Sequence, residues 1–207
     1  MPKVLEKVER RLGEKLFLKG DRCIGPKCAF TRRSYAPGAH GKKKRRRGSS
    51  EFGELLREKQ KVRFVYGLDD RDLERYSKEA SDKQGIFNSN FFKLLEGRLD
   101  NVLFRLGFTM GRRQARVLVN HGHATVNGRT VTVPSYRIKK GDVVSLKERS
   151  LKSPLFEGLD MRLKNYNPPA WLELDKSKKV GKVVGLPEVE EVGLNVDFTR
   201  IKEFYSR

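Results

Sequence analysis

The chain has 207 residues, with 46 Lys and Arg against 26 Asp and Glu, for a formal net charge of +20. No apolar run reaches the roughly 20 residues of a membrane span, and the charged start lacks a signal-peptide apolar region. Two cysteines cannot frame a secreted disulfide fold of this length. A cytoplasmic protein that seeks a polyanion is expected.

The charge is unevenly placed. Residues 1–50 carry a net +12 and residues 101–150 a net +8, while 51–100 and 151–207 carry −1 and +1. Charge serving solubility alone would be spread out, so two basic binding surfaces are predicted. Residues 1–48 form a basic arm ending in Gly41–Gly48, whose six like charges in a row are expected to order only against phosphate. Ser50 then caps a predicted helix with Phe52, Leu55, Leu56, Val62 and Val65 on its apolar face and Gly67 as its stop. Asp69 or Asp70 starts a second helix with Leu73, Tyr76 and Ala80 inward. A third is predicted from Asn88 or Ser89 to Gly107, carrying Phe91, Leu95, Leu99, Val102 and Leu106.

The period then changes. Residues 111–120 read as a short helix that buries Ala115, Leu118 and Val119 and turns Arg112, Arg113, Arg116 and Asn120 outward. Ala124–Val126 leads into Asn127-Gly128, a strong hairpin signal. Return strands are predicted at Thr130–Val133 and Tyr136–Ile138, and a further strand at Val143–Leu146. Beyond Ser150, Leu155, Leu159 and Leu163 suggest a helix, Trp171–Leu174 and Lys182–Val184 suggest strands, and Thr199–Tyr205 a last short helix. The expected fold class is α+β: a basic N-terminal arm (1–48), a helical domain (49–94) on which the tail 188–207 is expected to dock, and a third domain (95–187). The last contains a small α/β module with antiparallel hairpins at about 97–150.

Among candidate chemistries, Cys23-x4-Cys28 is half of a zinc site. The second pair is absent, its nearest stand-ins being Glu6 and Glu9, so no metal is expected and no cofactor. His40, His121 and His123 fit no hydrolase or metalloprotease motif. Gly97-Arg98-Leu99-Asp100 resembles the catalytic string of a pseudouridine synthase family, an RNA-modifying alternative that would use Asp100. Here the string runs on in a helical period, and an Asp beside Arg98 and Arg105 is more often an ion-pairing group. Arg112, Arg113 and Arg116 have no acidic residue between Asp100 and Asp142 to balance them, and a cationic helix N-terminus suits phosphate. No helix-turn-helix, zinc finger or basic zipper points to DNA. Separate basic surfaces on an arm and a small module suit folded RNA.

Several strings carry a family resemblance: Leu18-Lys19-Gly20-Asp21-Arg22-Cys23, Tyr35-Ala36-Pro37-Gly38-Ala39-His40-Gly41 and Leu56-Arg57-Glu58-Lys59-Gln60-Lys61-Val62-Arg63. They continue with Glu96-Gly97-Arg98-Leu99-Asp100-Asn101-Val102, Arg113-Gln114-Ala115-Arg116, Val126-Asn127-Gly128-Arg129, Pro134-Ser135-Tyr136 and Glu203-Phe204-Tyr205-Ser206-Arg207. Over nearly its whole length the chain resembles the bacterial small-subunit ribosomal protein S-four family. The resemblance implies a non-enzymatic protein that binds small-subunit rRNA early, nucleates assembly, contacts ribosomal protein S-five and influences decoding accuracy. It also implies basic residues along the path by which mRNA enters, a role falling on Lys42, Lys43, Lys44, Arg45, Arg46 and Arg47. This run is longer and more basic than the family's, and zinc-binding members have four Cys where this chain has two. Contact with rRNA is expected from Arg10, Arg11, Arg32, Arg33, His40, Arg57, Lys59, Lys61 and Arg63 in the first half. In the module it is expected from Arg112, Arg113, Arg116, His121, His123, Arg129, Lys139 and Lys140. Function as a homo-oligomer and association with membranes are not expected.

Overall fold

The computed structural model describes residues 5–42, 50–189 and 196–206. The chain divides into two compact units, one drawn from residues 1–87 and 195–207 and the other from residues 88–194.

The first unit begins with three short helices, α1 (Leu5–Leu12), α2 (Asp21–Ile24) and α3 (Ala29–Arg32), elements that the low apolar content of this segment had not suggested. They close around buried Leu5, Val8, Glu9, Cys23 and Cys28. Glu9 accepts hydrogen bonds from the backbone N–H groups of Leu16 and Leu18, both at 3.1 Å, with the Cys23 sulfur 3.9 Å from the same oxygen. Of the basic run, Lys43–Arg47 lies outside the described residues.

Two longer helices follow, α4 (Glu51–Val65) and α5 (Asp70–Asp82). Both open on the caps read from sequence: Ser50 accepts from Gly53 N–H at 3.2 Å and Asp69 from Asp72 N–H at 2.9 Å. Phe52 is not in the core. It is 53% exposed and its ring stacks on Phe204, 5.7 Å between centroids. Phe204 belongs to the terminal helix, Phe198–Ser206, which packs on α4 and α5 and buries Phe198 and Ile201.

The predicted third helix is two helices, α6 (Phe87–Glu96) and α7 (Leu99–Arg105). The break has a tertiary cause. Arg98 adopts extended backbone and forms an isolated antiparallel bridge with Arg137, while Ile138 N–H bonds to Gly97 C=O at 2.9 Å and Leu99 N–H to Tyr136 C=O at 2.9 Å. A Cβ on Gly97 would stand 2.9 Å from the Lys93 carbonyl oxygen, so this turn favours glycine.

The helix α8 (Arg112–Asn120) packs on α7, burying Ala115, Leu118 and Val119. Asn127 and Gly128 carry φ of 50° and 79° at the hairpin between β1 (Ala124–Val126) and β2 (Arg129–Thr130), the signs a two-residue hairpin turn requires. The predicted strand through Val133 makes its last bond to β1 from Val131 N–H to Ala124 C=O at 3.2 Å, and Tyr136–Ile138 contributes only the single bridge. After β3 (Val143–Leu146) come α9 (Glu148–Leu151), a 3-10 turn at Pro154–Phe156 and α10 (Leu159–Lys164). Leu155 is exposed on that turn, so the predicted Leu155–Leu163 helix forms only in its second half. The strands β4 (Leu172–Asp175) and β5 (Val180–Val183) complete an antiparallel sheet of order β2-β1-β3-β5-β4, and the final helix is α11 (Phe198–Ser206). One face of this sheet closes on α7, α8 and α10 in a core that includes Leu103, Leu106, Val119, Val144, Leu163 and Trp171. The α+β class and the small module with antiparallel hairpins are thus borne out. Among the described residues no helix is long and apolar enough to cross a membrane.

Candidate nucleic-acid interface

The geometry of the second unit turns on two buried carboxylates. Glu96 ends α6 and Asp100 sits in the first turn of α7, where the helix dipole favours an anion. Glu96 is fully buried. It accepts from Asn101 Nδ2 at 2.6 Å and from both Nε and Nη2 of Arg105 at 2.8 and 2.9 Å. Asp100 takes the fork of Arg98, Nε to Oδ1 at 3.0 Å and Nη2 to Oδ2 at 2.9 Å.

Each carboxylate then receives an arginine from α8. Arg116 donates Nε and Nη2 to Asp100 Oδ2 at 3.1 and 2.9 Å. Arg112 donates Nε to Asn101 Oδ1 at 2.6 Å, brings Nη2 to 3.5 Å from Glu96, and lies 4.5 Å over the Phe104 ring. Burying two carboxylates is costly unless charge-assisted hydrogen bonds satisfy them, and this network supplies several for each. The α8 arginines are therefore not unbalanced, as the charge count between Asp100 and Asp142 had implied. Their partners stand just before that stretch. Glu96 and Asp100 are four residues apart in sequence, as are Arg112 and Arg116, but the break at Gly97 and Arg98 puts the two acids on different helices, so spacing alone does not announce the pairing. Four guanidinium groups against two carboxylates leave the cluster cationic.

Arg113 differs from its neighbours. It is exposed and makes no hydrogen bond or ion pair among the described residues. Gly111 stands at the N-cap of α8 without a side-chain cap, leaving first-turn N–H groups without a partner from that side chain. At the far end His121 is exposed, while His123 is half-buried with Nδ1 2.8 Å from Ser150 Oγ. Arg129, Lys139 and Lys140 are exposed at turns of the sheet. Asp142 does not neutralise them as a free surface charge: its carboxylate accepts from Asn127 Nδ2 at 2.9 Å and from Lys139 N–H at 2.7 Å, tying two turns together.

In the first unit the expected cations divide. Arg11, Arg32, Arg33, His40, Lys42 and Arg57 are exposed. Arg10 donates to Tyr35 C=O at 3.0 Å and stacks on the Tyr35 ring, which Lys42 also approaches. Lys59 pairs with Asp70 at 3.1 Å and lies 4.5 Å over Phe204, and Arg63 pairs with Asp70 at 2.9 Å. Lys61 is buried between Glu14 and Glu58. Burial disfavours its charge, but the hydrogen bonds to Glu14 and Glu58 outweigh that and hold it above the ordinary lysine value. Lys61 thus belongs to the packing of this unit rather than to its cationic surface. Burial pushes the Cys23 thiol up, whereas N–H donation around Thr31 draws Cys28 down. Among the described residues no group of three or more His, Cys, Asp or Glu is placed to hold a metal ion.

Residues 97–144 match the family described as S4 domain, and residues 5–96 match the Ribosomal protein S4/S9 N-terminal domain. The arginine-bearing α8 and the hairpin after it are the body of that S4 domain, so the chain is a protein of the S4-domain class. It is 48% identical over 198 residues to the small ribosomal subunit protein uS4 of Heliobacterium modesticaldum, covering 96% of this chain and 94% of that one. The uS4 of Thermus thermophilus matches at 48% and that of Syntrophomonas wolfei at 45%, over the same shares. The chain belongs to the small ribosomal subunit protein uS4 family.

Proposed function

We propose that this protein binds small-subunit rRNA directly and acts as a structural, non-enzymatic component of the small subunit. The observation that carries the reading is the α8 face. Arg113 is exposed, and Arg112 and Arg116 are held partly exposed by ion pairs, within a domain class shared with relatives named as small-subunit proteins. Phosphate contact by arginines already fixed in place loses little ordering entropy. Early binding makes the protein a nucleus for subunit assembly. The arm supplies the second basic surface, with Lys42–Arg47 along the path by which mRNA enters, and a contact with ribosomal protein S-five links the protein to decoding accuracy. The RNA-modifying alternative loses ground because both oxygens of Asp100 are engaged by Arg98 and Arg116, which disfavours a reacting carboxylate.

Stoichiometry tests the reading. The protein is expected to co-sediment with small subunits at one copy each and to protect a defined set of rRNA phosphates. Substoichiometric association, or a pseudouridine formed by wild type and not by Asp100→Asn, would contradict it.

A further inference from the structure

A surface built for a polyanion gains by keeping carboxylates away, because each one repels phosphate. Glu96 and Asp100 nevertheless stand directly behind the α8 arginines. Balancing them does not require α8: Arg105 already forks onto both oxygens of Glu96 and Arg98 onto both oxygens of Asp100. Those two arginines, Arg98 at 3% and Arg105 at 15% side-chain exposure, satisfy the buried charges from within their own segment. Arg112 and Arg116 are second partners, one helical turn apart, with side chains 14% and 26% exposed against 0% and 5% for the carboxylates they meet. The Phe104 ring adds a flat support under Arg112.

The geometry points to Glu96 and Asp100 as positioning residues for RNA binding: Asp100 ties Arg116 at Nε and Nη2, and Glu96 ties Arg112 at Nη2 and through Asn101, which bonds both Glu96 and Arg112 Nε, so that phosphate meets ordered guanidinium groups. This rests on the rRNA-binding reading above. An arginine free at the surface must lose its rotamer freedom when it grips phosphate, whereas one already tied at Nε and Nη2 has lost it during folding. Arg98 and Arg105 keep the cluster cationic, so the carboxylates can orient the α8 pair without cancelling its attraction for the polyanion.

Charge counting and positioning make opposite demands, which gives the test its sign. The affinity of the full chain for full-length small-subunit rRNA made in vitro is measured against salt for wild type, Asp100→Asn, Arg116→Gln and the double variant. Counting charge alone, Asp100→Asn removes a negative group from a cationic face and should bind more tightly. Positioning requires about a 2- to 10-fold loss, the cost of ordering one long side chain on binding. The salt slope should stay unchanged, since no phosphate contact is removed. Arg116→Gln should itself flatten the slope by about 0.7 to 0.9, and adding Asp100→Asn to it should cost nothing further. Equal or tighter binding by Asp100→Asn, or the same loss in both backgrounds, would overturn the proposal. Should Asp100→Asn fail to fold, Glu96→Gln with Arg112→Gln is measured in the same cycle under the same criteria. Losses in the arginine variants without a loss in the carboxylate variants remove positioning alone. Wild-type affinity and slope in Arg112→Gln, Arg113→Gln and Arg116→Gln alike remove the rRNA face, and the proposal with it.

Discussion

The two units bury carboxylates by different means. In the first, one oxygen of Glu9, Oε1, accepts from the backbone N–H groups of Leu16 and Leu18 beside the Cys23 thiol, while Oε2 is buried without a hydrogen-bond partner among the described residues, so its charge shapes a loop. In the second, Glu96 and Asp100 are satisfied by guanidinium groups, of which Arg98 is closed off and Arg105, Arg112 and Arg116 are partly exposed. Backbone partners turn a buried acid into local structure. Arginine partners turn it into an oriented positive surface. The same contrast separates Lys61, enclosed between Glu14 and Glu58, from Arg113, which faces solvent.

The largest expected effect breaks the second arrangement. Asp100→Ala removes the ion pair that Asp100 makes with buried Arg98, and removing one partner of such a pair costs about 3–5 kcal/mol. Hydrogen exchange across α7 and α8 should rise while exchange in α4 and α5 stays as in wild type; equal loosening of both units would erase the distinction between them. Glu9→Ala probes the first arrangement. Two backbone donors lose their acceptor, a cost of about 1–3 kcal/mol, and the Leu16 and Leu18 amides should lose protection ahead of α4. Lys61→Gln should cost somewhat less, about 1–2 kcal/mol, and leave the salt dependence of rRNA binding unchanged. A flattened slope would return Lys61 to the interface. Because its pKa is raised, the contribution of Lys61 is fully present at neutral pH and is lost as pH climbs past the ordinary lysine value of about 10.4. The smallest expected effect concerns the cysteines. Purified, untagged protein should carry no tightly bound zinc, and replacing Cys23 and Cys28 together by Ser should leave rRNA affinity nearly unchanged. Near-stoichiometric zinc that survives mild chelation would show that the arm is built on metal rather than on Glu9.

What was legible in the sequence was local. Ser50 and Asp69 announce helix starts because the side chain that caps also prefers that place, and Asn127-Gly128 announces its turn because both residues tolerate positive φ. The break between α6 and α7 was not legible. Helical spacing runs through Leu95, Leu99 and Val102, and only pairing with Tyr136–Ile138, some forty residues on, pulls Gly97 and Arg98 out of the helix. The short helices of the arm escaped for a related reason: beyond Leu5 and Val8 on α1, their cohesion comes from one buried carboxylate and two thiols brought together from separate parts of the segment. The α8 arginines were found by their charge. Their pairing is not legible, because Glu96 and Asp100 stand before the acid-free stretch, at the end of α6 and the start of α7, and only packing brings them beside α8.

The central claim is that α8 meets rRNA phosphate, and Arg113 is its cleanest probe. Unlike Arg112 and Arg116, it holds no ion pair among the described residues, so its loss removes a contact without disturbing the buried network. The decisive measurement is the salt dependence of rRNA affinity for wild type and Arg113→Gln, at matched stability. A slope flatter by about 0.7 to 0.9, with weaker binding at every salt concentration, is the expected result. Identical slope and affinity in the two proteins would contradict it.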